Sequence, residues 1–354
     1  MPLIMETPLL EIHRAAGAQL AAFDGCLLPQ RFAGFEEEYR AGREAAALLD
    51  TNWHAILRLA GSDRVQYLHA ITSNNIKALA TGRGLLALLL NPQGHILAEL
   101  EVYSLPDNLL LLSHASLQER TVTTLRKYVI ASKVVIEDVT PAMGSLAIEG
   151  PRAPEAIEQL CGVAIGTLPE MAVQEIQWEG AAGFLLRRSL FGQPGAQLIV
   201  PRDALASVWR TALLRVQAVG GTPIGHDAFH ALRLEAGVPW FPADFYDQMI
   251  PHEAGLENTH VSFNKGCYTG QEIVERVRSR GHVNRKRVQL QFSAAAPPAP
   301  GTKLLAGATE AGFVTSAAYS PSAGASIGMG YVRREHWEAG TTLEFDGGKA
   351  EVRG

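Results

Sequence analysis

The chain has 354 residues and a net charge of −5, with 47% hydrophobic and 19% charged residues. At roughly 150 residues per domain this is two or three domains with enough apolar material for packed cores, which excludes wholesale disorder. Neutralising many phosphates takes a basic excess, so the acidic balance argues against a dedicated duplex-DNA binder and no direct nucleic-acid contact is expected.

Residues 35–50 mix Glu, Arg and Ala and predict a helix, and Trp53 to Leu59 alternates as a strand. A short helix through Leu68 follows Gly61-Ser62-Asp63. Leu85 to Leu90 and Ile96 to Leu105 read as two strands joined by Asn91-Pro92-Gln93-Gly94, whose chemistry suits a turn. Leu109 to Ser113 is a strand, Leu117 to Ile130 a helix and Val134 to Val139 a strand. Ser145 to Glu149 then runs into Gly150-Pro151 and a helix to Leu160, since proline suits a first helical turn. Strands follow at Val173 to Trp178, Phe184 to Arg188 and Gln197 to Val200, and helices at Asp203 to Val219 and His226 to Ala236. The elements mix without a regular βαβ cadence, which predicts α+β. After the Pro-rich stretch at 294–301, short strands at Lys303 to Leu305, Gly312 to Ser316, Ser326 to Val332 and Thr341 to Phe345 predict a small C-terminal β-barrel.

Cys26, Cys161 and Cys267 stand more than 100 residues apart, so the chain cannot alone build a four-cysteine zinc or iron–sulfur site, and no metal site is expected. The sparse, odd count does not suit a secreted disulfide scaffold. Met1 to Leu10 lacks the features of a signal peptide, and the longest apolar runs are far too short to span a bilayer. The expectation is a soluble, cytoplasmic protein with no membrane partner.

Common catalytic motifs are missing: there is no GxxxxGK[ST], GxGxxG or HExxH. Gly324-Ala325-Ser326-Ile327-Gly328 matches GxSxG, but Ser326 opens a predicted strand with no helix directly after it, unlike a nucleophile elbow. His226 and His230 are four apart on a predicted helix, a spacing that can share a metal but lacks a third ligand.

The informative stretch is Lys265-Gly266-Cys267-Tyr268-Thr269-Gly270-Gln271-Glu272. Two glycines bracket a cysteine just ahead of a predicted helix from Ile273 to Arg278. The helix N-terminus and Lys265 would both favour a thiolate, making Cys267 a nucleophile, a redox centre or a single metal ligand. A buried, inert turn cysteine fits the same residues equally well. The basic run Arg276, Arg278, Arg280, Arg285, Lys286 and Arg287 reads either as a solvated face or as an anion- or partner-docking surface.

That octapeptide resembles the KGCYxGQE signature of the YgfZ-type folate-binding proteins, paralogues of the aminomethyltransferase (T-protein) of the glycine cleavage system. The likeness extends to Ser62–Leu68 with Thr72-Ser73-Asn74-Asn75, to the hairpin Asn91–Glu99 and to Leu232-Arg233-Leu234-Glu235-Ala236-Gly237. Pro251-His252-Glu253-Ala254 and Gly312-Phe313-Val314-Thr315-Ser316 carry it further, so it covers roughly residues 35–345. A signature of this length in this order is highly specific.

The resemblance implies a three-domain cloverleaf of the aminomethyltransferase type around a central channel for tetrahydrofolate or a derivative. Its domains would be 35–145 together with 230–285, then 146–229, then the barrel 286–354, with 1–34 an extension of unknown role. It implies a part in assembling or repairing iron–sulfur clusters, with assembly proteins or client iron–sulfur enzymes as partners and an indirect effect on tRNA modification. Cys267 and Lys265 would be the central pair. Gln197, Arg233, Tyr268 and Gln271 would meet the folate, although Arg233 is also readable as a salt-bridge residue beside Glu235 and Tyr268 as an ordinary core tyrosine.

Departures from the T-protein pattern bear on activity. The first Asp of the family's GGxxDD hairpin falls on Ala98, which can do no acid–base work. The neighbouring Glu99 should face the other way along a strand. In Ser189–Gln197, matched to the pterin-contact block GYTGExGFE, Leu190 replaces the tyrosine and Gln197 the final glutamate. Gln197 keeps acceptor and donor capacity but no charge. The expectation is retained folate binding without genuine aminomethyl transfer. The alternatives are a folate-dependent one-carbon transferase using another donor, and a non-catalytic adaptor.

Overall fold

The computed structural model describes residues 4–294 and 296–353. They form two compact units: one takes residues up to 71, 76–86 and 100–229, the other 72–75, 87–99 and 230 onward.

The first unit is built on a six-stranded sheet in the order Val173–Trp178, Ala181–Leu186, Gly195–Pro201, Met143–Glu149, Ala47–Asp50 and Thr222–Pro223. Met143–Glu149 pairs antiparallel on both sides, so that Ala147 faces Leu49 on one neighbour and Gln197 on the other. Residues 144–149 of this strand are all buried, so its apolar Leu146-Ala147-Ile148 run does not alternate with exposed residues. Helices Ala153–Cys161 and Arg202–Ala218 cover this sheet, with Ile157, Val208, Trp209 and Val216 packed on Leu48, Leu146, Ile148, Leu198 and Val200. A five-stranded sheet follows the order Gly84–Leu90, Ile96–Ser104, Asn108–His114, His54–Ala60 and Val135–Asp138, its first two strands running on into the second unit at 87–90 and 96–99. Its Ile56, Leu110 and Leu112 pack on Val173, Leu186 and Ile199 of the larger sheet. A three-stranded sheet, Met5–Glu6, Cys26–Arg31 and Gln19–Phe23, and helix Leu10–Ala15 complete the unit.

The second unit contains a closed six-stranded barrel in the order Arg285–Phe292, Ala325–Arg333, Thr309–Ser320, Lys303–Ala306, Thr342–Phe345 and Gly348–Arg353. Val288, Leu290 and Phe292 alternate into its core beside Val314, Val332, Leu343 and Val352. Closure removes the open sheet edges that would otherwise invite pairing with other chains. The α+β class and the C-terminal barrel are as the sequence predicts.

Three expectations are corrected. The helix predicted over 35–50 ends at Glu44, and Ala47–Asp50 is a fully buried strand. Burial between two neighbouring strands overrides the helical propensity of its alanine and leucines. The helix predicted over 117–130 is confined to Gln118–Lys127. The basic run is not one face, because Arg276 and Arg278 lie on helix Gln271–Arg280 whereas Arg285, Lys286 and Arg287 open a barrel strand. Among the described residues no helix is long and apolar enough to cross a membrane.

Candidate functional site

Within the second unit the Lys265–Glu272 loop is tied down by two other segments that the sequence singles out. Asn91 folds the hairpin end by accepting from the backbone N–H of Gln93 and of His95, both at 2.9 Å. Gly94 (φ +77°) and Gly270 (φ +82°) then let the hairpin and the loop approach at backbone distance. A Cβ on Gly270 would lie 2.6 Å from the Asn91 carbonyl oxygen and 3.1 Å from the Cα of Gly94. Ser73 donates its hydroxyl to the His260 carbonyl at 2.6 Å and accepts from the Leu88 N–H at 2.9 Å. The Lys265 ammonium is buried, donating to the carbonyls of Thr72 and of Asn74, and lies 4.8 Å from the centre of the Tyr268 ring.

On this frame Cys267 is an exposed free thiol, not a buried turn cysteine. Tyr268 is buried, its hydroxyl has no hydrogen-bond partner among the described residues, and burial with Glu275 nearby pushes its pKa up to about 12. Gln271 is the half-buried first residue of helix Gln271–Arg280, and its N–H donates to the Tyr268 carbonyl at 3.2 Å.

Arg233 is fully buried and pairs with Asp244 rather than standing beside a neighbouring acid. Asp244 also accepts from Thr315 at 2.6 Å, from Ser316 and from the Trp240 N–H at 2.9 Å. Burial works against the Asp244 charge, but Arg233 and the Ser316 and Thr315 hydroxyls outweigh it and hold the carboxyl below its ordinary range. Glu235, the acid nearest Arg233 in sequence, accepts from Ser320 at 2.5 Å and Ser322 at 2.9 Å. His230 lies against Arg233 at 3.0 Å, and burial with that cation lowers its pKa to about 3.

In the first unit Gln197 is completely buried on strand Gly195–Pro201, and among the described residues neither its amide oxygen nor its amide nitrogen has a hydrogen-bond partner. Buried amides are almost always paired, so such a group calls for an explanation. The turn before it is held by a residue the sequence does not reveal. The fully buried Glu149 carboxylate accepts from the Ser189 hydroxyl at 2.8 Å and from the N–H groups of Leu190 (2.6 Å), Phe191 (2.9 Å) and Gln193 (3.0 Å). Burial raises the Glu149 pKa despite these four bonds. His226 stacks on Phe23 with ring centres 3.7 Å apart.

The two hairpin positions next to the loop also differ. Ala98 is 1% exposed on the same face as the fully buried Ile96. Glu99 is half-buried and pairs with His260 Nε2 at 2.8 Å. His260, missed from sequence, has no motif around it. Its partner is 161 residues away.

Residues 9–265 match the GCVT N-terminal domain and residues 285–353 the glycine cleavage T-protein C-terminal barrel domain. Among relatives, an aminomethyltransferase of Saccharopolyspora erythraea is 31% identical over 344 residues, covering 96% of this chain and 93% of that protein. The aminomethyltransferase of Bacillus subtilis is 24% identical, with 97% and 95% covered. The crystal structure of glycine cleavage system aminomethyltransferase T from Bartonella henselae superposes with a TM-score of 0.90 at 24% identity, covering 99% of this chain and 97% of that one. At that identity the superposition speaks for the fold.

Proposed function

The chain belongs to the glycine cleavage T-protein (GCVT) family, and on that premise we propose that it binds tetrahydrofolate, or a derivative, and handles the one-carbon unit that folate carries. The observation that carries this reading is Gln197, a buried amide whose oxygen and nitrogen have no hydrogen-bond partner among the described residues. Leaving both unpaired costs about 1–3 kcal/mol, a penalty that a pterin edge with matching donors and acceptors would remove. The unpartnered hydroxyl of Tyr268, on an otherwise buried ring, supports the same reading. The residues present therefore fit the group. Bound folate supplies the nitrogens that carry the one-carbon unit. Gln197 would read the pterin edge. In the second unit Arg233 would act through its buried pair with Asp244 on its own surroundings, and Lys265 would hold the octapeptide loop in register.

The relatives' name, aminomethyltransferase, favours one-carbon transfer as the chemistry. Ala98 means that this chain would not perform it with the family's hairpin aspartate. Anaerobic calorimetric titration with tetrahydrofolate tests the binding. Saturable one-site binding is expected, and no binding at millimolar ligand would overturn the reading and leave an adaptor. Incubation with tetrahydrofolate and a panel of methylamine donors, read as methylene-tetrahydrofolate formed, tests the transfer.

A second reading is a role in iron–sulfur cluster assembly or repair. It is favoured by the exposure of Cys267 in the octapeptide loop, where a thiolate can reach a partner. In a strain lacking the protein, Cys267→Ala would then fail to rescue an iron–sulfur enzyme. Full rescue by that variant would remove the thiol from any such role.

A further inference from the structure

The barrel carries a cavity that the folate reading does not use. Val314 and Val332 point into the barrel core, so their strand neighbours Phe313, Tyr331 and Arg333 face outward. Against this outer face, beside helix Pro251–Ala254, the second unit holds an open cavity of about 500 Å³, the size of a small-molecule site. Its floor is aromatic. Phe313 and Tyr331 are cross-strand partners with ring centres 5.5 Å apart and planes 22° from parallel. Tyr331 is buried and anchored, its hydroxyl donating to the Asp244 carbonyl at 3.0 Å, whereas Phe313 is half-buried. A rigid ring pair of this kind offers a flat ligand a stacking surface.

The charges around the floor are unevenly matched. Arg285 faces the Tyr331 ring at 5.4 Å and is taken up by Glu253, through Nε at 3.2 Å and Nη2 at 3.4 Å. Glu310 is bonded to Lys303 at 2.8 Å, with the field of Arg333 a lesser influence on it. Arg333 stands directly opposite Arg285 in the strand register, and like charges so placed are destabilising. Among the described residues the Arg333 side chain has no hydrogen bond or ion pair, and neither has that of Glu335, two positions on in the turn Arg334–His336. One cavity thus presents an unmatched cation, an unmatched carboxylate and an aromatic floor. A simple anion would satisfy Arg333 and be repelled by Glu335, and a simple cation would do the reverse. A zwitterion that also carries a flat ring answers all three features.

Independently of the folate reading, we propose that this cavity binds a free aromatic α-amino acid, with its carboxylate on Arg333, its ammonium on Glu335 and its ring against Phe313.

L-Phenylalanine is the probe, titrated into the full chain by calorimetry, and one saturable site is expected. 3-Phenylpropionate lacks the ammonium, L-phenylalaninamide the carboxylate and L-leucine the ring. Each should bind at least about tenfold more weakly, as loss of one such contact implies. Two variants assign the charges. Arg333→Gln should weaken phenylalanine binding about tenfold and abolish the preference for phenylalanine over its amide. Glu335→Gln should weaken it similarly and abolish the preference over 3-phenylpropionate. Both side chains are exposed, so the variants should unfold at the wild-type temperature. Saturating tetrahydrofolate should leave the phenylalanine affinity unchanged. Absence of phenylalanine binding at millimolar concentration, binding that survives both substitutions, or displacement of phenylalanine by tetrahydrofolate overturns the proposal.

Discussion

Gly94 and Gly270 meet with no room for a side chain between them: a Cβ on Gly270 would sit 3.1 Å from the Gly94 Cα and 2.6 Å from the carbonyl of Asn91. Two motifs separated by about 175 residues in the chain are thereby locked in one register. Gly270→Ala meets both a backbone clash and a φ of +82°, where a side chain is strained. A loss of about 2–4 kcal/mol is expected in denaturant unfolding, from strain and overpacking together. Gly281→Ala is the control. Its φ is +114°, but nothing lies within 4 Å of the added atom, so only the strain of about 1–3 kcal/mol applies. Equal losses at both sites would refute the close approach.

Arg233 and Asp244 are both fully buried, and breaking such a pair by removing one partner costs about 3–5 kcal/mol. The two halves are unequally supported. Asp244 keeps Thr315, Ser316 and the Trp240 N–H, whereas Arg233 is left with the Val238 carbonyl at 3.3 Å and His230 at 3.0 Å. Asp244→Asn should therefore destabilise more than Arg233→Met. The pH dependence has a fixed sign. The Asp244 pKa is depressed in the folded state, so its stabilisation is present above the unfolded-state value and lost as pH falls through the folded one. The gap between wild type and Asp244→Asn should hold at neutral pH and close only in strong acid.

These relationships separate what the sequence reveals from what it hides. The hairpin at Asn91–Gly94, the glycine-bracketed loop and the barrel strands were legible because turn chemistry and period-two alternation are local. The strand Ala47–Asp50 was not, since Ala and Leu suit a helix until two neighbours bury them. Arg233 invites pairing with Glu235, two positions on, but residues two apart on a helix point in different directions. Its true partner lies beyond the helix. Glu149 and His260 are hidden for a related reason: each takes its meaning from partners about 40 or 161 residues away. No local pattern encodes those contacts. The exposure of Cys267 is likewise set by the folded loop and not by its composition.

Glu149 gives a second pH signature, opposite in sign to that of Asp244. Burial raises its pKa in the folded state, so the folded protein binds the proton more readily than the unfolded chain. Stability linked to this group therefore falls as pH rises from the ordinary glutamate value through the raised one, and is flat above it. Against Glu149→Gln, wild type should gain relative stability on acidification across that window. At neutral pH the amide presents an NH2 toward N–H groups that need an acceptor. Faster hydrogen exchange at Leu190, Phe191 and Gln193 is expected in Glu149→Gln. Unchanged exchange at those amides would show that Glu149 does not hold the turn.

Gln197 offers the sharpest separation between stability and function. A residue kept for packing destabilises when replaced, but a buried amide with both polar atoms unpaired is already a burden on the fold. Methionine fills nearly the same volume without polar atoms. Gln197→Met should therefore raise the ligand-free protein's stability by about 1–2 kcal/mol, through removal of the unsatisfied amide. The same change should weaken tetrahydrofolate binding at least about tenfold, since the pterin edge would then meet an apolar wall and lose about 1.4 kcal/mol or more. Stabilisation with unchanged folate affinity would place the ligand elsewhere. A loss of stability would mean that the amide is satisfied in solution and that its burial does not signal a ligand.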